Sequence, residues 1–306
     1  MRWRHHGRPA APPYVARCEN SRGGTRNVVL TGATSHCHVP NFSDPVSIKT
    51  ACYGEVEWRL EGRRYVIHAD TLLLLPDGDE YALTIDSATP SRGFNVLFRS
   101  GLVEDCWHAM ITKPEALLDA PYDVQPLAFR RRLESKLGPL GQALEALAAA
   151  VAAKASPECV DWLFESLGAK VVESVCEQRW EVVRLNALRP ATRLEIHRRL
   201  ELARAAIEDD LAAPWRLLTM ARAAMMAPHH FHRSFHQAYG ETPRAWLARR
   251  RMERALILLR TTKWSVTDIC FAIGYSSTTS FSASFTTRYG TPPSRVVRPR
   301  PPVELW

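Results

Sequence analysis

Apolar positions along this chain follow two different periods. Between Tyr53 and Phe98 they come in short runs. Glu55-Val56-Glu57-Trp58-Arg59-Leu60 alternates polar and apolar, which predicts a half-buried strand. Glu61-Gly62-Arg63 reads as a turn, and Tyr65-Val66-Ile67 restarts the strand. Leu72 to Leu75 is an apolar run ended by Pro76-Asp77-Gly78-Asp79, and Tyr81 to Ile85 and Phe94 to Phe98 add two more segments. Short strands with turns every eight to twelve residues predict a small barrel or sandwich. From Leu127 to Ala155 the period turns helical, with Leu133, Leu137, Leu140, Leu144, Leu147 and Val151 spaced three or four apart. Ser156-Pro157 breaks it, and a second helix follows from about Glu158 to Val183, with Trp162, Leu163, Leu167, Val171, Val175 and Cys176 along one side. Asn186 to Pro190 reads as a linker. Thr192 to Glu195 then reads as a capping box opening a helix that runs to about Asp210.

The last third carries one pattern twice. Phe231, Phe235, Tyr239, Gly240 and Pro243 recur as Phe281, Phe285, Tyr289, Gly290 and Pro293, each fifty positions on. Two aromatics four apart lie on one helix face, and the third continues that face. The Gly predicts a left-handed cap and the Pro a restart of the chain. Short apolar segments, Leu217 to Ala221 and Val266 to Cys270, precede the two units. Tight turns at Met225-Met226-Ala227 and Gly274-Tyr275-Ser276-Ser277 separate these segments from the aromatic helices. Short helix, turn and second helix, said twice, is a pair of helix-turn-helix units.

On these residues, with Pro214-Trp215 ahead of the first unit and Arg251-x-x-x-Ala255-x-x-Leu258-Leu259 between the two, the chain resembles the AraC/XylS family of bacterial transcription regulators. The stretches Leu60 to Tyr65 and Asp70 to Pro76 are similar to the cupin-type sensor domain that precedes the helix-turn-helix pair in that family. The resemblance implies a two-domain α+β protein. A flexible arm (1–26) would lead into a cupin-like sensor and dimerisation domain (27–185), a linker (186–191) and a double helix-turn-helix domain (192–300). It also implies a homodimer made through the two helices after the barrel, a small-molecule effector, and activation through contact with RNA polymerase.

Charge supports a nucleic-acid partner. The formal charge of +8 is uneven: from Arg189 onward 18 Arg and 1 Lys face 9 acids, while the 188 residues before it hold 21 basic and 23 acidic side chains. The basic half is the helix-turn-helix half. Seven Cys, an odd number without a Cys-x-x-Cys, argue against a disulfide framework or a zinc ribbon and for cytoplasmic thiols. Pro9, Pro12 and Pro13 interrupt any leader-like apolar stretch, and no apolar run approaches the ~20 residues that would span a bilayer. No cofactor, metal or catalytic group is expected. His36 and His38 share a strand face but lack a third ligand at a telling distance, and no His accompanies Asp77, Asp79 and Glu80 near Pro76. A metal cupin, an alkyl-accepting repair enzyme and a weak non-specific DNA binder stand as alternatives. The second of these needs a cluster of four cysteines that the spacings do not supply.

A recognition helix turns its aromatics inward and offers its opposite side to base edges. In the first unit that side carries His229, His230, His232, Arg233 and His236. A guanidinium makes bidentate contacts to guanine or clamps a phosphate, and protonated His adds phosphate attraction. Binding is therefore expected to strengthen below about pH 6.5. The second unit offers Ser277, Thr278, Thr279, Ser282, Ala283 and Thr286; the Ser and Thr hydroxyls hydrogen-bond, but none of the six brings charge, so its salt slope should be weaker. Ala227 cannot cap its helix as Ser277 can, at a cost of about 1 kcal/mol. Arg249, Arg250, Arg251 and Arg254 form a band on the linking helix, Pro243 to about Arg260, and one or two of them, Arg249 and Arg250 first, are expected to meet phosphate. In the barrel, Trp58, Tyr65, Tyr81, Phe94 and Phe98 are candidates to line an apolar ligand pocket, or simply to fill the barrel.

Overall fold

The computed structural model describes residues 24–111 and 127–296, so most of the arm read at residues 1–26 lies outside them. The chain divides between Val175 and Cys176 into two compact units.

The first unit is built on one antiparallel sheet. Its strands are β1 (Val28–Ser43), β2 (Ser47–Tyr53), β3 (Val56–Leu60), β4 (Arg63–Ile67), β5 (Thr71–Leu75), β6 (Glu80–Leu97) and β7 (Arg132–Ser135). The order is β4-β3-β6-β2-β5-β7, with β1 also paired to β6. Along one edge of β6 its beginning pairs with β3 (Leu60 opposite Tyr81) and its end with β2 (Ser47 opposite Leu97). Strand β1 follows the other edge from Ser43 to Val28. A strand that changes partner along its length lets the sheet curl into a half-barrel. Glu61 (φ 48°) and Gly62 (φ 74°) both take positive φ, the two-residue turn whose twist suits a hairpin between β3 and β4. Every residue of β5 is buried, as an unbroken apolar run requires when a strand is covered on both faces.

Three sequence expectations change here. The segments Tyr81 to Ile85 and Phe94 to Phe98 are largely one strand, β6, because β1 pairs with it on both sides of a register shift between Thr34 and His36. The helix read from Leu127 starts only at Pro139: Leu133 sits on β7, whose backbone pairs with the edge of β5. The helices are α1 (Leu102–Ile111), α2 (Pro139–Ala152) and α3 (Pro157–Val183). On α3 the buried side holds Phe164, Leu167, Val171, Val172 and Val175, whereas Trp162 is 64% exposed. Phe164 stacks edge-on against Phe98 with centroids 6.2 Å apart.

The second unit contains α4 (Pro190–Asp209), α5 (Leu217–Ala223), α6 (Pro228–Tyr239), α7 (Pro243–Thr261), α8 (Val266–Ala272) and α9 (Thr278–Tyr289), followed by a 3-10 turn, Pro293–Arg295. Helix α4 begins at Pro190, so Thr192 lies inside it and does not cap it. Proline at the first helical position supplies the fixed φ instead. Glu195 turns to Arg198 and Arg199, whose hydrogen bonds hold its carboxyl down at about 2. Leu200, Ala203, Ile207, Met220, Phe231, Phe235, Trp246 and Leu247 form one buried core around the first helix-turn-helix. Among the described residues no helix is long and apolar enough to cross a membrane.

Candidate nucleic-acid interface

The two helix-turn-helix units repeat each other in detail. Phe231 and Phe235 lie 5.5 Å apart between centroids and Phe281 and Phe285 5.7 Å; Phe235–Tyr239 and Phe285–Tyr289 follow at 4.6 and 4.7 Å. All four Phe rings are fully buried. Helices α6 and α9 end at Gly240 (φ 73°) and Gly290 (φ 70°), in the left-handed conformation that glycine adopts freely. Each turn also contains a left-handed residue, Met225 (φ 52°) and Gly274 (φ 80°). An arginine holds each of their carbonyls: Arg199 donates to Met225 O and Arg251 to Gly274 O, both at 3.2 Å. Met225 tolerates the position because its side chain stands 59% exposed, while a β-carbon on Gly274 would lie 2.4 Å from the Ala212 carbonyl oxygen.

With the Phe pair inward, the opposite side of α6 is open. His229, His230, His232, Arg233 and His236 are all exposed, as the periodicity predicts. Arg233 makes no ion pair or hydrogen bond among the described residues, so its guanidinium is available to a partner. His230 also borders a shallow groove of about 420 Å³ with Ala191, Thr192, Glu195, Ile196, Arg199 and Met226. On α9, Thr279, Ala283 and Thr286 are exposed, and Ser277, Thr278 and Ser282 are half-buried. The Thr286 and Thr287 hydroxyls donate to the carbonyls of Ser282 and Ala283 one turn back, which occupies their protons. Ser277 caps α9 by accepting from Ser280 N at 3.4 Å, and Ala227 leaves α6 without a side-chain cap, its Pro228 removing one of the orphan donors.

The basic band on α7 is engaged by partners within the protein. Arg250 is 2% exposed and grips Glu208 through two bonds, 2.5 and 3.1 Å, while also pairing with Glu253. Arg249 bonds Glu241 at 2.6 Å and Glu253 at 3.0 Å. Arg251 donates to the Leu211 and Ala213 carbonyls at 2.8 Å as well as to Gly274. Arg254 stands 3.8 Å from Glu208. These guanidiniums turn inward because carboxylates and helix-end carbonyls converge on them, which a one-dimensional charge run does not reveal. Burial by itself would raise the Glu253 carboxyl, but Arg250 and Arg249 beside it hold it below the usual carboxylate range. Exposed cations that the sequence reading passed over include Arg216, Arg222, Arg244, Arg260, Lys263 and Arg295.

In the first unit the candidate pocket residues separate. Trp58 and Tyr81 meet edge-on at 5.3 Å and close around Lys49, whose ammonium lies 4.6 Å from the Tyr81 ring and 5.4 Å from the Trp58 ring. Lys49 donates to Asp44 at 2.8 Å and to the Tyr81 hydroxyl at 2.5 Å. Tyr65 is half-buried opposite Trp58, and Phe94 is buried at the far end of β6, where β2 lies beside it. Among the described residues the one group of three ligating side chains is Glu181, His197 and Glu201. It is an ion-pair knot: His197 meets Glu181 at 2.8 Å, and Glu201 accepts from Arg204 at 2.7 Å and Tyr239 at 2.6 Å. His36 pairs with Asp86 at 3.0 Å and His38 with Thr84 at 3.3 Å.

This fold and this surface define a class: a curled-sheet unit followed in the chain by a helical unit with two helix-turn-helix heads. Family comparison agrees at both ends. Residues 33–159 match the AraC-like ligand binding domain and residues 220–298 match a helix-turn-helix domain. The chain belongs to the AraC/XylS family of regulators. It is 36% identical over 89 residues to the virulence regulon transcriptional activator VirF of Yersinia enterocolitica, which covers 29% of this chain and 33% of VirF. Against the regulator ExsA of Pseudomonas aeruginosa it is 33% identical over 99 residues, 32% of this chain and 36% of ExsA. The matches thus span about a third of these relatives. Among solved structures, apo ToxT from Vibrio cholerae covers 87% of this chain and 95% of its own at 14% identity and TM-score 0.36. The DNA-binding domain of AdpA, solved with a target DNA, covers 31% and 86% at 27% identity and TM-score 0.30.

Proposed function

We propose that this chain is a sequence-specific DNA-binding transcription regulator that acts as an activator and senses a small molecule through its sheet unit. The observation that carries the reading is the face of α6: four exposed histidines and an unpaired Arg233 lie over a buried Phe pair. A helix anchored by its apolar side presents such a row to major-groove base edges, where Arg reads guanine and neutral His donates or accepts. Helix α9 repeats the geometry without the charge, so it adds hydrogen bonds and shape but little electrostatic attraction. Rigidly joined through α7, the two heads enter successive major grooves about one helical turn apart.

Selection of sites from a random DNA pool by the purified full chain, at fixed near-physiological salt, tests the reading. Two half-boxes about one turn apart support it. A single half-box means that only α6 reads sequence. No enrichment, with binding that vanishes as salt rises, leaves a non-specific DNA binder in its place.

A further inference from the structure

The arginines withdrawn from the DNA face gather at the junction between the two heads. One tether runs through ions. Glu241, next to the Gly240 cap of α6, holds Arg249; Arg249 holds Glu253; and Glu253 faces Arg288 in the last turn of α9 at 3.7 Å. The other runs through backbone. The Arg251 guanidinium takes the Leu211 and Ala213 carbonyls of the loop before α5 and, with a third N–H, the Gly274 carbonyl in the turn between α8 and α9. At that point the second turn presses on the first unit's loop so closely that a β-carbon on Gly274 would meet Ala212 backbone atoms at 2.4 and 2.8 Å. Met225, the matching residue of the first turn, has an exposed side chain, and among the described residues Arg199 bonds its carbonyl. The two turns thus share a local design but differ in what they lean on.

We propose that Arg251 on Gly274, together with the Glu253 node, sets the angle between the two recognition helices and so the half-box spacing that the protein accepts. Two tethers at separate places on the second head, one at its turn and one at the end of its recognition helix, remove rotation about either. A single tether would leave a hinge. These are positioning residues: they meet no base, and their effect is on which spacer fits rather than on which base is read. The inference rests on the reading of α6 and α9 as two DNA heads, and its test separates the failure of either.

The full chain and its Arg251→Ala, Arg251→Lys and Glu253→Gln variants are each titrated with duplexes whose half-boxes are separated by the selected spacer or by one roughly two base pairs longer or shorter. Bio-orthogonal spin labels at Leu218 and Thr267, off both recognition helices, report the distance distribution between the heads without DNA. The expected result is that Arg251→Ala and Glu253→Gln lower spacer discrimination about tenfold, leave base preference within each half-box unchanged and broaden the distance distribution. Arg251→Lys, which keeps the charge but cannot reach three carbonyls, behaves as Arg251→Ala does and covers the case in which the alanine variant fails to fold. Unchanged spacer discrimination and an unchanged distribution in the folded variants overturn the proposal. If the wild type selects no paired half-boxes, the reading of two DNA heads fails. The label distances then decide alone, broadening in favour of the lock and constancy against it.

Discussion

Three glycines of the helical unit share one backbone conformation but not one environment, and replacing each by alanine separates the two effects. Gly240, Gly274 and Gly290 have φ of 73°, 80° and 70°. A β-carbon in the left-handed region costs about 1 kcal/mol, and the loss of unfolded-chain freedom returns about 0.4–1 kcal/mol, alike at all three. At Gly240 and Gly290 nothing lies within 4 Å of the new carbon. At Gly274 it meets the Ala212 oxygen at 2.4 Å, the Arg251 guanidinium at 2.7 Å and the Ala212 α-carbon at 2.8 Å, two of them backbone atoms that cannot swing aside. Overpacking of that kind costs about 1–3 kcal/mol. Gly240→Ala and Gly290→Ala should therefore lose under about 1 kcal/mol, and Gly274→Ala about 1–3 kcal/mol more. Urea unfolding of the full chain, followed by far-UV circular dichroism and fitted with a common slope, reads the difference as a midpoint drop of about 1 M for Gly274→Ala beyond the other two. Three variants within about 0.5 kcal/mol of one another would refute the close contact of the second turn with Ala212, and with it the backbone half of the lock between heads.

Other outcomes follow from the same geometry. Met225→Gly relieves a left-handed non-glycine residue whose side chain is mostly in solvent, but it also frees the unfolded chain, so the helical unit should gain no more than about 0.6 kcal/mol by thermal or urea unfolding. Glu253→Gln leaves buried Arg250 short of a charge partner and should cost about 3 kcal/mol at neutral pH. Because the folded Glu253 carboxyl lies below its ordinary value, its contribution is full above about pH 4.3 and fades as pH falls through the folded value. The variant's stability should accordingly decline less steeply in acid, as pH-resolved urea titrations will show. Arg233→Ala should weaken DNA binding by about 1–3 kcal/mol, whereas Ala283→Arg should restore charge to the second head and raise the salt slope by about 1, both read by fluorescence anisotropy across salt concentrations.

The helical unit was legible because its determinants are local. A Phe four residues from a Phe, a Tyr four further on and a Gly after it fix face, length and end of a helix without help from the rest of the chain, and α6 and α9 carry all four. The sheet was legible where one face is wet, at β3, and where an apolar run is covered on both faces, at β5. Strand β3 alternates and is plain, whereas β1 mixes polar and apolar residues without a regular alternation. Leu133 read as helical because leucines three and four apart mimic a helix face. What decides it is the backbone edge of β5 waiting for a partner, a contact made across sixty residues of sequence.

The candidate interface was legible in one half and misleading in the other, and the difference is where counter-charges sit. Among the described residues no carboxylate pairs with Arg233, so a charge written in the sequence stays a charge on the surface. On α7 the same residue type is written as a run, yet Glu208 from α4 and Glu241 from the loop before α7 reach it through space, and Glu253 reaches it one turn along its own helix. Only the last of these is visible in sequence spacing. A buried guanidinium held by two carboxylates contributes little net stability compared with an apolar pair, since desolvation offsets most of the attraction. What it does contribute is direction, because a planar fork accepts its partners at fixed angles. Arginines of this unit thus fall into two groups: exposed ones such as Arg233, free to meet a partner, and Arg249, Arg250 and Arg251 turned inward, where the proposed lock between the heads draws on their fixed geometry.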